Sequence, residues 1–391
     1  MGDNSKKPGI RFKGFTDDWE QRKLGEYVSI ISGEAPSKFE EGTELYVKVD
    51  DLNYNDKYVV DTQNKVAEHS TVKRVTKGSV VFPKRGAAIM TNKVRIIGID
   101  SYMDTNMMAL TSEKLDSEFL YNIISKEGLY KIADTSTIPQ INNKHVEPYE
   151  VTIPSLDEQR RIGAYFKQLD HLITLHQRKY DKLVVIKKSM LEKMFPKNGQ
   201  TKPEIRFSGF TDDWEQRKLG EYVSIISGEA PSKFEEGTEL YVKVDDLNYN
   251  DKYVVDTQNK VAEHSTVKRV TKGSVVFPKR GAAIMTNKVR IIGIDSYMDT
   301  NMMALTSEKL DSEFLYNIIS KEGLYKIADT STIPQINNKH VEPYEVTIPS
   351  LDEQRRIGAY FKQLDHLITL HQRELEKLKK IKLSMLEKMF V

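Results

Sequence analysis

Two polar loops carry the residue types that suit recognition of nucleic acid. Arginine can donate two hydrogen bonds to guanine, asparagine and glutamine pair with adenine, and lysine and threonine meet phosphate. The first loop, at 82–93, supplies Lys84, Arg85, Thr91, Asn92 and Lys93. The second loop, at 134–144, and a short earlier segment supply Ser136, Thr137, Gln140, Asn142, Asn143, Lys144, Ser37 and Lys38. Together these residues are the candidate DNA-binding set, although polar loops are more often only solvated loops.

Signatures of catalysis are absent from the sequence. It contains no phosphate-binding loop, no G-x-G-x-x-G, no H-E-x-x-H and no G-x-S-x-G motif. The lack of cysteine excludes disulfides, thiolate zinc sites and cysteine nucleophiles. His145 and Glu147 have no third ligand at a suitable spacing, so they do not predict a metal site. We therefore predict no catalytic residue and no bound metal on this chain.

Residues 14–178 and 209–373 are one 165-residue sequence written twice, at a constant offset of 195. A repeat of this length is a whole domain rather than a solenoid unit, and it can bury a core of its own. Whatever one copy binds, the other must bind too. The second copy of the DNA-binding set is Ser232, Lys233, Lys279, Arg280, Thr286, Asn287, Lys288, Ser331, Thr332, Gln335, Asn337, Asn338 and Lys339.

Short β-branched segments separated by Gly, Asn and Asp must position these loops. They predict strands at 46–49, 58–60, 79–82, 94–99 and 151–153. Apolar residues at helical spacing predict a helix over 117–127. The domain is therefore predicted to be α/β.

A long helix follows each domain. Ser155 and Glu158 form the pattern of a capping box, which marks the start of the first helix. Apolar residues then alternate spacings of four and three, as in a coiled-coil seam. The predicted seam residues are Ile162, Phe166, Leu169, Ile173 and Leu183 in the first helix and Ile357, Phe361, Leu364, Ile368 and Leu378 in the second.

At a rise of about 1.5 Å per residue, forty residues make a rod of roughly 60 Å, whose natural partner is the other rod. The short polar linker after the first rod cannot run back along it, so the second rod must return antiparallel. We expect a dumbbell with pseudo-two-fold symmetry. Its parts are a domain at 1–155, a helix at 156–195, a linker at 196–208, a second domain at 209–350 and a helix at 351–391.

Composition is that of an ordinary soluble globular protein, with 39% hydrophobic and 30% charged residues. The net charge of +2 leaves any argument for nucleic-acid binding to local patches. The N-terminal stretch lacks the apolar segment of a signal peptide, and no apolar run reaches membrane-spanning length. We expect a bacterial cytoplasmic protein.

The string from Ile153 to Ile162 (IPSLDEQRRI) and the helix exit SMLEKMF at 189–195 resemble the conserved helical region of type I restriction–modification specificity subunits. Both strings recur in the second copy. The segments WEQRKLGE at 19–26 and GSVVFPKRG at 78–86 resemble the opening and a strand-and-loop of the recognition domains in that family. The resemblance covers nearly the whole chain.

Membership in this family would imply two target-recognition domains, at 1–155 and 209–350, separated by an antiparallel coiled coil. It would imply a non-catalytic subunit that binds double-stranded DNA at an interrupted site. Two methyltransferase subunits and two restriction subunits would dock on it, and they would carry S-adenosylmethionine, ATP and Mg²⁺, leaving this chain without a cofactor.

The chain differs from the family in one respect, because its two recognition domains are identical rather than different. Identical readers related by a two-fold axis predict a palindromic bipartite site. The alternative is a tandem protein-interaction scaffold without DNA specificity, and a third possibility is a DNA enzyme with an unrecognised site. Salt-sensitive, sequence-dependent binding to duplex DNA would separate the first two.

Overall fold

The computed structural model describes residues 7–197 and 199–391. Residues 1–6, which belong to the predicted first domain and to the N-terminal stretch predicted to lack a signal peptide, lie outside the described residues, as does Asn198 of the predicted linker. The chain forms two compact units. Unit 1 comprises Met1–Gln177 with Arg373–Val391, and unit 2 comprises Arg178–Gln372. Each unit therefore contains one predicted domain and parts of both long helices.

The described part of the first copy has ten strands and four helices. The strands are β1 (Glu20–Lys23), β2 (Ser29–Ser32), β3 (Glu44–Val47), β4 (Tyr58–Val59), β5 (Lys65–Val66), β6 (Val80–Pro83), β7 (Arg95–Ile97), β8 (Tyr102–Met103), β9 (Met107–Thr111) and β10 (Glu150–Ile153). The helices are α1 (Asp51–Tyr54), α2 (Ser117–Glu127), α3 (Asn143–Val146) and α4 (Leu156–Lys193).

The described part of the second copy repeats these elements. Its strands are β11 (Glu215–Lys218), β12 (Ser224–Ser227), β13 (Glu239–Val242), β14 (Tyr253–Val254), β15 (Lys260–Val261), β16 (Val275–Pro278), β17 (Arg290–Ile292), β18 (Tyr297–Met298), β19 (Met302–Thr306) and β20 (Glu345–Ile348). Its helices are α5 (Asp246–Tyr249), α6 (Ser312–Glu322), α7 (Asn338–Val341) and α8 (Leu351–Met389).

A five-stranded sheet in the order β2-β9-β6-β7-β4 organises each domain, described here for the first copy. It is mixed, because β4 runs parallel to β7 while the other pairs are antiparallel. Successive side chains of β6 enter different cores: Val80 packs with α2 and α4, whereas Val81 packs with α1. Alternation along a strand thus buries both faces of the sheet. The predicted α/β class is confirmed.

Helix α2 has the predicted bounds, because both of its ends are encoded locally. The side chain of Asp116 accepts a hydrogen bond from the Phe119 N–H at the N-terminus. Gly128 ends the helix in the left-handed region, with φ of 70°. Gly163 of α4 lies against the start of α2, where an added Cβ would come within 2.3 Å of the Asp116 carboxylate. Glycine therefore permits the close approach of the two helices.

The start of α4 differs from the predicted capping box in one detail. The Glu158 N–H donates to the Ser155 hydroxyl at 3.4 Å, as expected. The Glu158 carboxylate instead accepts two hydrogen bonds of 2.7 Å from the Arg11 guanidinium. Glu158 is 1% exposed, so this pair ties the chain's N-terminal segment to the beginning of the helix. A carboxylate buried this deeply requires such a partner, and the pairing raises the pKa of Arg11.

Within unit 1, the N-terminal half of α4 lies beside the C-terminal end of α8. The Phe166 and Phe390 ring centroids are 5.8 Å apart, and the Lys382 ammonium donates to Asp170 at 2.5 Å. As α4 advances from 166 to 170, its partner recedes from 390 to 382, so the pair is antiparallel. Unit 2 has the reciprocal arrangement, in which Phe195 lies 6.1 Å from Phe361. The predicted pairing of the two long helices is confirmed.

The seam has two kinds of position. Ile162, Phe166 and Leu169 belong to the core of their own domain as well as to the helix pair, as do Ile357, Phe361 and Leu364. Ile173, Leu183, Ile368 and Leu378 are half-buried. The helix pair and the domain core are therefore one continuous apolar structure at the start of each long helix.

A buried ion-pair network joins the domain to both helices of unit 1. The Lys57 ammonium lies 2.5 Å from Glu118 of α2 and 2.7 Å from Asp170 of α4. Burial opposes the charge on Lys57, but the carboxylates of Asp170 and Glu118 raise its pKa above the ordinary value. Lys382 of α8 binds the same Asp170. Removing Lys57 would leave the Glu118 carboxylate buried without its partner, so this network is costly to break.

None of the helices in 7–197 or 199–391 combines the length and apolar character needed to cross a membrane.

Candidate nucleic-acid interface

The two polar loops predicted from sequence lie side by side. The Gly86 N–H donates to the Pro139 carbonyl, and the Ile141 N–H donates to the Lys84 carbonyl, both at 2.8 Å. Arg85 and Gln140 face each other in an isolated β-bridge. Gly86 has φ of 82°, a conformation that favours glycine at the turn out of β6. We call this paired structure, 84–93 with 134–144, the reading loops.

Several candidate side chains in the reading loops have no hydrogen bond or ion pair within the part of the chain that the structure describes. These are Lys84, Arg85, Thr137, Gln140, Asn143 and Lys144. Arg85, Asn143 and Lys144 are exposed, and Gln140 is half-buried beside Arg85. Unpaired donors on a fixed backbone are what recognition of base edges and phosphates requires.

Charges of both signs act on the Lys84 ammonium. It is half-buried, and burial lowers the pKa of its ammonium, with neighbouring Arg85 acting in the same direction. The carboxylates of Glu34 and Asp104 oppose this shift. Glu34 is itself paired with the candidate Lys38 at 2.7 Å, while Ser37 is exposed beside it. A phosphate near Lys84 would relieve the repulsion from Arg85 and stabilise the charged form.

Two candidates hold the first loop in shape. After a 3-10 turn at Ala87–Thr91, Asn92 adopts the left-handed conformation with φ of 47°. Its side-chain amide donates to the Ser125 carbonyl at the end of α2, at 2.9 Å. Thr91 donates to the Ala88 carbonyl at 2.6 Å. Asn92 and Thr91 are therefore engaged in positioning the loop in this structure.

The second loop is also internally braced. Asp134 accepts hydrogen bonds from the Ser136 N–H and hydroxyl, at 3.0 and 2.7 Å, which lowers the pKa of Asp134. The Asn142 N–H donates to Nδ1 of His145, so His145 caps α3 rather than lying in an irregular loop. Across the two described ranges, no three His, Asp or Glu side chains are grouped so that they could hold a metal ion.

Lys93 connects the first loop to α1. Its ammonium contacts the side-chain oxygen of Asn53, which is exposed on α1. The next residue, Tyr54, is exposed as well. Sequence reasoning missed α1 as a part of this surface, because a four-residue helix leaves no periodic signal.

The second copy places its candidates in the same way within unit 2. The Gly281 N–H donates to the Pro334 carbonyl, and the Ile336 N–H donates to the Lys279 carbonyl, both at 2.8 Å. Arg280 and Gln335 form the equivalent bridge. Asn287 is anchored to the Ser320 carbonyl at 2.9 Å. The remaining equivalents Ser232, Lys233, Thr286, Lys288, Ser331, Thr332, Asn337, Asn338 and Lys339 share the burial class of their first-copy counterparts.

Two segments of the chain, 16–184 and 211–380, match the family model of the type I restriction modification DNA specificity domain. The chain belongs to this family. The resemblance inferred from the helical motif is thereby confirmed, and the duplicated match agrees with the two copies. As a type I specificity subunit, the chain is a non-catalytic component of its system.

Relatives of similar length support this assignment. The chain is 24% identical to the type I restriction enzyme MjaVIII specificity subunit of Methanocaldococcus jannaschii, covering 94% of this chain and 90% of the relative. It is 23% identical to the MjaIX specificity subunit of the same organism, covering 95% and 92%. The crystal structure of the type I restriction-modification system S subunit from M. genitalium shares the fold, with a TM-score of 0.66, 16% identity and coverage of 98% and 99%.

Proposed function

We propose that this specificity subunit reads a bipartite, palindromic DNA site with its two pairs of reading loops and positions methyltransferase subunits on it. The observation that carries the proposal is the cluster of unpaired donors around Arg85 and Gln140, repeated at Arg280 and Gln335. An arginine beside a glutamine can pair with guanine and adenine edges respectively. Membership in the specificity-domain family supports DNA as the ligand.

The palindrome follows from the duplication. Identical domains carry identical reading loops, so both half-sites must have the same sequence. Antiparallel helices of nearly equal length predict a two-fold relation between the copies, and B-DNA has two-fold axes of its own. Matching of protein symmetry to operator symmetry is the rule in dimeric helix-turn-helix proteins. The expected site is a short half-site, a non-specific spacer and the reverse complement of that half-site.

The chemistry belongs to the partners in this proposal. Two methyltransferase subunits bind S-adenosylmethionine and modify one adenine in each half-site, and two restriction subunits with ATP and Mg²⁺ complete a cleaving complex. The specificity subunit contributes no cofactor and works in the bacterial cytoplasm.

The test is methylome sequencing of a host that expresses the chain with its methyltransferase subunits. The expected result is a single methylated motif made of two inverted, identical half-sites, which disappears when the chain is omitted. A motif with two unrelated half-sites, or with two half-sites in direct orientation, would contradict the symmetric reader. Replacing Arg85 and Arg280 by alanine together should erase or relax the motif at the same position in both halves.

The alternative of a protein-interaction scaffold makes a different prediction. A scaffold would show no selection among duplexes, whereas a reader that neutralises phosphates loses affinity steeply as salt rises. Measuring duplex binding by the chain with its methyltransferase subunits across a series of salt concentrations separates the two.

A further inference from the structure

We propose that Tyr54 and its counterpart Tyr249 are base-contacting residues, each placing its ring against an exposed base surface of the DNA. The inference deepens the proposed function and rests on it. Tyr54 is 84% exposed and Tyr249 is 85% exposed. Within 7–197 and 199–391 they are the only aromatic residues among the exposed large apolar side chains, and neither side chain makes a ring contact or a hydrogen bond.

The backbone that carries Tyr54 is firmly held. The Asn55 side-chain amide donates to the carbonyls of Asp51 and Asp61, at 3.0 and 3.2 Å. Arg95 of β7 donates to the Asn55 carbonyl at 3.1 Å. The buried Asp51 carboxylate accepts from the Thr62 hydroxyl at 2.9 Å. A rigid aromatic side chain loses little conformational entropy on binding, which is why tyrosine is favoured at contact surfaces.

The position of Tyr54 connects it to the reading loops. Its neighbour Asn53 contacts the Lys93 ammonium, and Lys93 closes the first loop. The surface thus combines a lysine that can meet phosphate with a ring that can pack on a thymine methyl group exposed in the major groove. Each supplies what the other lacks, because the cation gives affinity that depends on salt and the ring gives affinity that does not.

The test uses the full chain assembled with its methyltransferase subunits and a library of duplexes with randomised positions. The wild-type assembly first selects its preferred duplex. An assembly that carries both Tyr54→Ala and Tyr249→Ala should then bind that duplex at least about tenfold more weakly than the wild type does. The dependence of its affinity on salt should be unchanged. Lys93→Ala with Lys288→Ala should instead reduce the salt dependence.

The duplication offers an internal comparison. Tyr54→Ala alone should relax the selected sequence at one position of one half-site and leave the other half-site intact. Tyr249→Ala alone should do the same on the opposite side. The matched control is Ile99→Ala with Ile294→Ala, since these residues are 51% exposed and follow β7 and β17 at the ends away from Lys93 and Lys288. The control should bind as the wild type does.

Each contrary outcome has a distinct meaning. If the wild-type assembly selects no duplex, the proposed function itself fails. If it selects one, three results would overturn the tyrosine inference alone. These are an unchanged affinity of the double variant, an equal loss on selected and random duplexes, and a loss of methyltransferase subunits in place of a loss of DNA affinity.

Discussion

Replacement of Phe390 by alanine should destabilise unit 1 and leave unit 2 intact. Phe390 follows the last turn of α8, yet its ring lies in the core of the first domain and is 6% exposed. Its centroid is 5.4 Å from that of Phe119, 5.8 Å from Phe166 and 6.2 Å from Trp19. Each domain core is therefore completed by the end of the helix that follows the other copy.

The expected magnitude follows from these contacts. Truncation of a buried phenylalanine costs about 3–5 kcal/mol, because transfer energy is lost and a cavity remains. Three aromatic neighbours, each worth about 0.5–1.5 kcal/mol beyond area burial, place Phe390 in the upper part of that range. With a urea dependence of about 2–3 kcal/mol per molar, the unfolding midpoint of unit 1 should fall by more than about 1 M.

The assay needs a signal that distinguishes two copies of one sequence, since peptides from 14–178 and 209–373 are identical. The chain has two tryptophans, one in each core. Trp19 lies against Phe390, and Trp214 lies 5.9 Å from Phe195. A Trp214→Phe background leaves Trp19 fluorescence as the reporter of unit 1. In the reciprocal Trp19→Phe background, Phe195→Ala should lower the midpoint reported by Trp214.

The matched control is Leu383→Ala, which removes an apolar side chain that is 61% exposed on the same helix. It should change the midpoint little. Two results would contradict this prediction. In the first, Phe390→Ala changes the unfolding midpoint as little as Leu383→Ala does. In the second, Phe390→Ala lowers the midpoint of unit 2, reported by Trp214 in a Trp19→Phe background, as much as it lowers the midpoint of unit 1. Either result would mean that the end of α8 does not complete the first domain.

Three further changes test other parts of the structure. Arg85→Ala, with the matching change in the second copy, should weaken binding to the preferred duplex by about 1–3 kcal/mol per base contact, measured by titration against duplexes substituted one position at a time. Arg11→Met should destabilise unit 1 by about 3 kcal/mol in urea unfolding, because Glu158 would be buried without a partner, and an Arg11→Met/Glu158→Gln double variant should recover part of that loss. Deletion of 173–179 and 368–374 shortens each helix by about 10 Å, so the spacer in the methylome motif should shrink by about three base pairs with unchanged half-sites, or binding should be abolished. An unchanged spacer would show that the helices do not set it.

Features encoded by neighbouring residues could be predicted from the sequence. The bounds of α2 follow from Asp116 at one end and Gly128 at the other, both within one turn of the helix. The start of α4 follows from Ser155 in the same way. The duplication and the helical motif identify the family, and they require no tertiary information.

The secondary structure of a strand without a clear alternating pattern is harder to predict from the sequence. Strand β9 reads Met-Met-Ala-Leu-Thr, and four of its five residues are buried. It is an internal strand of the five-stranded sheet, between β2 and β6, and its successive side chains enter the cores on both faces of the sheet. A short apolar run with few β-branched residues does not distinguish a strand from a helix. Only the pairing with neighbouring strands determines its conformation.

At the candidate interface, too, some features follow from the sequence and others only from the tertiary structure. The sequence by itself supplied the donors, because residue type alone shows that Arg85 and Gln140 can read bases. Only the tertiary structure brought these two residues, 55 positions apart, into one bridge, and only it showed that the Asn92 amide is engaged with the Ser125 carbonyl.

The strongest tertiary effect concerns residues far apart in the chain. The Glu158 carboxylate binds Arg11 rather than the nearby helix N-terminus, and Phe390 fills a core formed by Trp19, Phe119 and Phe166. Local patterns determine where helices and strands begin, because those ends are satisfied by adjacent residues. Burial of a charge or a ring is decided by whichever partner the fold delivers, and no spacing in the sequence encodes that choice.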